Sequence, residues 1–202
     1  MKLERDFYLR EDVVEISKNL LGKYLFTKID GKTTAGIITE TEAYAGEMDK
    51  ASHAYNNRRT NRTEIMFAEG GVSYVYLCYG IHHLFNVVTN FKDHPHAVLV
   101  RAIKPVEGIK SILKRRHLQP SETLIKQVLG GKKSITGGPG TVSQALGIQT
   151  KHSGLDLTKN TIWIEDRGIE LKPKDIISGP RVGVDYAEED AHLPYRFIAT
   201  II

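Results

Sequence analysis

Residues 71–80 form the stretch Gly-Val-Ser-Tyr-Val-Tyr-Leu-Cys-Tyr-Gly, which decides the fold of the middle of the chain. Its side chains alternate with period two, and this pattern predicts a β-strand. The strand ends at Tyr79 and a glycine, and a second strand-like run follows at residues 84–89, so we expect a β-hairpin with an aromatic tip. Tyr74 and Tyr76 share one face of the first strand. An aromatic side chain on a stiff hairpin tip suits insertion between stacked bases.

The charge balance favours a polyanionic partner. Lysine and arginine total 28 against 24 aspartate and glutamate residues, and the sequence pI is about 9.0. The basic residues cluster at Arg58, Arg59 and Arg62, at residues 110–116 and at residues 132–133. We expect the first two clusters to touch phosphates, although each cluster alone is typical of a solvated surface.

Length and composition predict one domain over residues 1–202, since 202 residues with 41% hydrophobic composition can bury one core. The sequence shows no linker, repeat, signal peptide or apolar run long enough to cross a membrane, so we expect a soluble intracellular protein. The lone Cys78 excludes an intramolecular disulfide and a cysteine-ligated metal cluster.

The periodicity predicts mixed α and β structure in which strands pair mainly as antiparallel hairpins, which argues against a doubly wound parallel sheet. Apolar spacing predicts a helix at residues 11–21, another after Pro105 and a third capped by Ser121. The glycine-rich run at residues 137–140 is expected to lead into a short segment around residues 144–146. Strands are expected at residues 23–29, 34–42, 161–165 and 195–200.

The chemistry is best sought in Glu40-Thr41-Glu42-Ala43-Tyr44, at the end of a predicted strand. Period two places Glu40, Glu42 and Tyr44 on one face. Paired carboxylates beside an aromatic ring are a common source of a general base or acid, whereas most Glu-x-Glu pairs at strand ends are solvated.

Two other motifs carry no chemistry. Residues 93–96, Asp-His-Pro-His, lack a further histidine or cysteine cluster at ligand spacing, so we interpret them as a polar turn. Residues 137–140, Gly-Gly-Pro-Gly, lack the Lys-Ser/Thr ending of a phosphate-binding loop. We therefore expect no metal and no cofactor.

Taken together, the ordered motifs resemble the alkyladenine (3-methylpurine) DNA glycosylase family, from residue 7 to residue 197. The resemblance implies a compact single α+β domain with a mainly antiparallel curved sheet, flanking helices and a protruding β-hairpin. It also implies a protein that binds duplex DNA in the minor groove, flips out a damaged purine and hydrolyses its N-glycosidic bond. The matching motifs are Glu-Thr-Glu-Ala-Tyr at 40–44, His53, Tyr-Val-Tyr-Leu-Cys-Tyr-Gly at 74–80, Asn86, Leu-Val-Arg-Ala at 99–102, Gly-Pro at 138–139 and Arg-Val-Gly-Val at 181–184.

The resemblance implies three catalytic roles. Glu42 matches the general base that orients and deprotonates the attacking water. Arg101 matches an arginine that helps to hold this water, and Val182 matches a residue whose main-chain carbonyl completes the water's surroundings.

The resemblance also implies residues that bind the base and the DNA. Those for the flipped base are Tyr44, His53 and Tyr76, with Asn86 restricting what enters the pocket. Tyr79 matches the wedge that enters the duplex. The loop residues Arg58, Arg59 and Thr60 are also expected to bind DNA. Two features depart from the family pattern, namely Ile81-His82 and a longer loop at residues 91–95. These departures bear on how the protein is expected to contact DNA.

The expected enzyme is a monofunctional, monomeric DNA-3-methyladenine glycosylase that initiates base excision repair on double-stranded DNA. Its expected substrates are 3-methyladenine and 7-methylguanine, with hypoxanthine and ethenoadenine as further candidates. We expect it in the cytoplasm with the nucleoid in a prokaryote, or in the nucleus of a eukaryote. The residues leave two alternatives: a non-catalytic module for distorted nucleic acid, and an RNA-binding or RNA-modifying protein whose tyrosines stack on single-stranded bases.

Overall fold

A curled antiparallel sheet of eight strands organises the computed structural model, which describes residues 1–200. The main strand order is β3-β4-β5-β2-β1-β6, and β8 pairs with both β2 and β7. Register shifts in the β2–β5 pairing between Ile38 and Thr41 mark bulges, which bend strands and help a sheet to curl. The strands are β1 (Tyr24–Ile29), β2 (Lys32–Tyr44), β3 (Ser73–Cys78), β4 (His82–Thr89), β5 (His96–Glu107), β6 (Ile162–Glu165), β7 (Ile176–Gly179) and β8 (Arg196–Ala199).

Five α-helices flank this sheet within residues 1–200. They are α1 (Arg5–Tyr8), α2 (Val13–Leu20), α3 (Ile109–Arg115), α4 (Glu122–Leu129) and α5 (Pro139–Leu146). The helix predicted at residues 11–21 is confirmed as α2, where the Asp12 carboxylate accepts the Glu15 N–H at 2.9 Å. Ser121 caps α4 as predicted, by accepting the Leu124 N–H at 3.2 Å. No helix in residues 1–200 is long and apolar enough to span a membrane.

The hairpin predicted from residues 71–80 is confirmed as β3 and β4. Cys78 and His82 form the last cross-strand pair before the turn. The Ile81 N–H donates to the Cys78 carbonyl at 3.2 Å, and Tyr79 and Gly80 both have positive φ, 50° and 73°. Two successive positive φ values are the pattern of a type I′ turn, which matches strand twist. The Tyr79 side chain is left 90% exposed at the tip.

One main hydrophobic core lies between the sheet and helices α2, α3 and α5, with Phe85, Val100, Ile112 and Leu146 at its centre. The chain is therefore a compact single α+β domain, as predicted. A smaller cluster that includes Met66, Phe67 and Tyr74 lies under the loop that follows β2. This cluster supports one wall of the cavity described below.

Two strands were not predicted from the periodicity. β5 contacts β2 along most of its length, and residues on both of its faces are buried, so its sequence lacks clear alternation. β7 has a short, largely exposed pattern and pairs with β8 alone. Pro105 lies inside β5, and the helix predicted after it begins at Ile109.

Candidate active site

A cavity of about 620 Å³ opens between the β3–β4 hairpin, the end of β2 and the start of α5. Residues distant in sequence meet here because β2, β3, β4 and β5 are neighbours in one sheet. The structure brings eight of the predicted site residues to its lining: Glu42, Tyr44, His53, Tyr76, Tyr79, Asn86, Arg101 and Val182. Arg58, Arg59 and Thr60 are outside the lining and lie on the exposed loop nearby.

Glu42 is completely buried, accepts hydrogen bonds from two donors and forms an ion pair with Arg101. Oε1 lies 2.8 Å from the Val182 main-chain nitrogen and 3.3 Å from Nη1 of Arg101, while Oε2 accepts the Tyr44 hydroxyl at 2.8 Å. A buried carboxylate is stable only when its charge is compensated in this way. The contact of Val182 with Glu42 is made by its N–H, whereas the resemblance assigned a role to its carbonyl.

Glu40 has different surroundings from Glu42, two residues away on β2. Its Oε1 accepts from Nε of Arg101 at 2.8 Å and from Nε of Arg196 at 2.6 Å. Burial lowers the pKa of Arg101, but the charges of Glu42 and Glu40 outweigh this effect and hold the pKa above its ordinary value. Arg101 thus remains a cation that joins the two carboxylates.

Tyr44 is a neutral donor to Glu42. Burial and then the adjacent charge of Glu42 raise the pKa of the phenol well above its ordinary value. The guanidinium of Arg181 lies 4.9 Å from the Tyr44 ring centroid.

His53, Tyr74 and Tyr76 form an aromatic wall of the same cavity. The His53 and Tyr76 rings meet edge to face at 4.7 Å. Arg62 approaches His53 Nε2 at 3.1 Å and lies 4.9 Å over the Tyr76 ring. The same Arg62 nitrogen lies 3.4 Å from His53 Nδ1, and Nδ1 is 2.9 Å from the Tyr74 hydroxyl. Burial, and then the charges of Arg62 and Arg58, lower the pKa of His53 to about 4, so the ring is neutral at pH 7.

Asn86 is buried in β4 with its amide group fixed. Nδ2 donates to the Tyr74 carbonyl at 3.1 Å and to the Leu84 carbonyl at 3.3 Å. These two bonds use both amide hydrogens, so the side-chain carbonyl oxygen is the group available to a ligand.

The basic clusters differ in how strongly they are tied to the protein. Arg59 binds Glu64 at 2.8 Å and Asp93 at 3.0 Å, whereas Arg58 is exposed beside it. In the cluster at residues 110–116, Arg115 donates to the Ile29 and Ala145 carbonyls, and Arg116 donates to the Ile135 carbonyl. These last two arginines therefore stabilise the fold, which their sequence pattern did not indicate.

Sequence reasoning missed three parts of the site. Tyr74 was recognised as a strand residue but not as the partner of His53, and Arg62 was assigned to phosphates rather than to the cavity wall. Arg181 belongs to a matched motif, but the sequence assigned it no role of its own. In the structure it forms a buried ion pair with Asp49. A fully buried arginine–carboxylate pair has no local signature, because its partners are distant in sequence.

A buried carboxylate below an aromatic cavity, beside an exposed aromatic on a hairpin tip, defines the class of a base-processing nucleic-acid enzyme. The methylpurine-DNA glycosylase family model matches residues 6–201. A protein of Chlamydia felis named as a 3-methyladenine DNA glycosylase is 46% identical over 199 residues, 98% of this chain and 96% of the relative. Proteins of the same name from Bacillus cereus strain G9842 and Clostridium perfringens strain 13 are 44% and 43% identical, each covering 98% of this chain and 95% of the relative.

The chain belongs to the methylpurine-DNA glycosylase family. It is therefore a DNA repair enzyme that acts on DNA and hydrolyses an N-glycosyl bond. This finding removes the two alternatives left by the sequence, a non-catalytic module and an RNA-binding protein.

Proposed function

We propose that this enzyme flips an alkylated purine out of duplex DNA into the 620 Å³ cavity and releases it with a water activated by Glu42. The observation that carries the proposal is the fully buried Glu42 carboxylate, held by two hydrogen-bond donors and the Arg101 cation in the lining of an aromatic cavity. Base release of this kind is the first step of base excision repair.

Flipping is needed because a base inside the stack cannot reach a buried carboxylate. Extruding a nucleotide costs about a few kcal/mol. Tyr79, 90% exposed at the hairpin tip, offsets part of this cost by entering the vacated position and restoring stacking. The proposed contact is with the minor groove, which the narrow hairpin can enter.

Glu42 serves the chemistry in two ways. Cleavage of the N-glycosidic bond builds positive charge on the sugar, which a nearby ionised carboxylate stabilises. The same carboxylate accepts a proton from the attacking water. Arg101 and the Val182 amide hold Oε1, and Tyr44 holds Oε2, so the carboxylate has a fixed orientation when the sugar arrives. We assign the Val182 carbonyl to the water.

The cavity wall favours cationic purines. A purine alkylated at N3 or N7 is positively charged, leaves as a neutral base and gains about 0.5–2 kcal/mol over an electron-rich ring. Because His53 and Tyr76 touch each other, a base cannot lie between them, and we place it between this pair and Tyr44. Arg62, which lies over Tyr76, is the group that such a base would displace. Hypoxanthine and ethenoadenine are neutral, so we expect them to leave more slowly than 3-methyladenine and 7-methylguanine.

The proposed reaction is direct hydrolysis without strand cleavage. Strand cleavage by a glycosylase needs an amine nucleophile, and no lysine lines the cavity in the described part of the chain. Lys50, the nearest lysine in sequence to the Glu42 motif, binds Glu188 and Glu189, and these hydrogen bonds raise its pKa above the ordinary value. Borohydride added during turnover should therefore trap no covalent complex with DNA. A trapped adduct that Lys50→Ala abolishes would contradict direct hydrolysis.

The substrate proposal is tested by measuring base release from four lesions in matched duplexes. Methylated DNA supplies 3-methyladenine and 7-methylguanine, and synthetic duplexes supply hypoxanthine and ethenoadenine, with undamaged duplex as the control. We expect release of the two cationic bases, slower release of the neutral ones and none from undamaged DNA. Release of the neutral bases alone, or preference for a single-stranded RNA competitor over the lesion duplex, would contradict the proposal.

We propose that the enzyme acts as a monomer, because the eight predicted residues of the cavity already meet within a single chain. A light-scattering mass of one chain, with and without a lesion duplex, is expected. The relatives described above are bacterial, and we propose that the enzyme works at the nucleoid, where its DNA substrate lies.

A further inference from the structure

Arg181 is the most deeply buried cation near the cavity, with its side chain 0% exposed, against an Asp49 side chain that is 2% exposed. The two side chains form a bidentate pair: Nη1 binds Oδ2, and Nη2 binds Oδ1 at 2.8 Å. Neither residue has a role in the function proposed so far. The pair lies close to the Glu42 carboxylate but forms no hydrogen bond with it.

Arg181 joins the two main-chain segments that carry Glu42 and Val182. Its Nη1 donates to the carbonyl of Ala43, the residue after Glu42, at 2.9 Å. Arg181 itself precedes Val182, whose N–H donates to Glu42 Oε1 at 2.8 Å. The guanidinium therefore fixes the distance between the strand that bears the carboxylate and the loop that bears its main-chain donor.

The same guanidinium also fixes the second donor to Glu42. It lies 4.9 Å from the centroid of Tyr44 and 5.3 Å from that of Tyr195. The Tyr44 ring is held against this cation, and its hydroxyl donates to Glu42 Oε2 at 2.8 Å. One buried arginine thus orients a donor to each oxygen of the Glu42 carboxylate.

Asp49 completes this arrangement by ordering the loop after β2. Its Oδ2 accepts the Ala45 N–H at 3.0 Å and its Oδ1 accepts the Ala51 N–H at 2.9 Å. Ala51 lines the cavity. The carboxylate therefore ties the cavity loop, through Arg181, to the segment that contains Val182.

The desolvation cost of a buried ion pair indicates that stabilising the fold is not the only role of Arg181 and Asp49. Removing two charges from water costs several kcal/mol, and well-packed apolar residues of similar volume are often as stable or more stable. Nε of Arg181 is buried without a hydrogen-bond partner in the described residues, which adds to the cost. An apolar pair could not donate a hydrogen bond to the Ala43 carbonyl or make a cation–π contact with the Tyr44 ring.

We propose that Asp49 and Arg181 are positioning residues, which hold the Val182 amide and the Tyr44 hydroxyl in place against Glu42. This inference rests on the proposed role of Glu42 as the general base. It adds an outer layer to the site: Glu42 acts on the substrate, and the ion pair acts through the two donors of Glu42.

The test compares Arg181→Lys and Asp49→Asn with Arg5→Lys, a matched control in which another arginine binds a carbonyl, that of Gly70, and a carboxylate, that of Asp156. Single-turnover excision at saturating enzyme, the Kd for the lesion duplex and the thermal midpoint are measured, with rates expressed per folded molecule. A misplaced reacting group costs up to about 100-fold, so we expect both site variants to lose about 10- to 100-fold in rate. Their Kd should change less than about threefold, and Arg5→Lys should keep its rate within about twofold.

A double variant separates positioning from a general structural role. If Arg181 acts through Glu42, the variant carrying both Glu42→Gln and Arg181→Lys is no slower than Glu42→Gln alone. Multiplied losses in the double variant, or a wild-type rate for Arg181→Lys and Asp49→Asn, would overturn the inference while the role of Glu42 stands. Near-normal excision by Glu42→Gln would instead remove the proposed function on which the inference rests.

Discussion

The hairpin tip at Tyr79 and the cavity floor, which consists of Glu42 with Tyr44, Arg101 and Val182, differ in how they are stabilised. Tyr79 at the tip is 90% exposed and lies in a local turn, whereas Glu42 at the floor is 0% exposed and is held by Tyr44 beside it and by Arg101 and Val182, which are distant in sequence. The tip can change without disturbing the core, but a change at the floor leaves buried polar groups without partners. With the roles proposed for Tyr79 and Glu42, DNA binding and bond cleavage should therefore be separable by substitution.

The largest expected effect comes from removing the charge at the floor. Glu42→Gln keeps the shape of the side chain but removes the base, so excision should fall by about two to four orders of magnitude. Single-turnover kinetics on a lesion duplex measures this loss. Glu40→Gln is the comparison on the same strand, because Glu40 is the neighbouring carboxylate and shares Arg101 with Glu42, while Arg196 binds it separately. A large loss for Glu40→Gln with a normal rate for Glu42→Gln would move the base to Glu40.

A smaller effect is expected at the tip. Tyr79→Ser leaves a hole in the base stack, and this should weaken lesion binding by about 1–3 kcal/mol. The hairpin itself should persist, since the Tyr79 side chain is exposed. Fluorescence of a 2-aminopurine beside the lesion reports the flipped population, which should decrease. An unchanged signal and Kd would make Tyr79 a turn residue without a role on DNA.

The smallest expected effect concerns the exposed loop beside the cavity. Binding weakens as salt rises, and each phosphate contact makes the slope of log K against log salt steeper by about one unit. Arg58→Ala should therefore make this slope less steep by about one unit. Arg59→Ala should change it less, because Glu64 and Asp93 already bind that guanidinium. Binding titrations at several salt concentrations measure both slopes. Equal slopes for the wild type and Arg58→Ala would remove Arg58 from the DNA interface.

The same contrast explains what the sequence could predict. The hairpin depends on turn chemistry at Tyr79 and Gly80, and the α4 cap depends on Ser121 and its neighbours, so both are visible locally. The resemblance added residues that meet in the cavity although no local pattern joins them. The donor from Val182 to Glu42 spans 140 residues and the Arg181–Asp49 pair spans 132, which is why the detailed contacts of the floor required the folded chain.

The central claim is that chemistry resides at the floor and grip at the tip. It is tested most directly by measuring excision at saturating enzyme and Kd on one lesion duplex for Glu42→Gln and Tyr79→Ser. We predict that Glu42→Gln loses at least about 100-fold in rate with Kd within about threefold of wild type, while Tyr79→Ser loses mainly binding. Parallel loss of rate and binding in both variants, or near-normal excision by Glu42→Gln, would contradict this account.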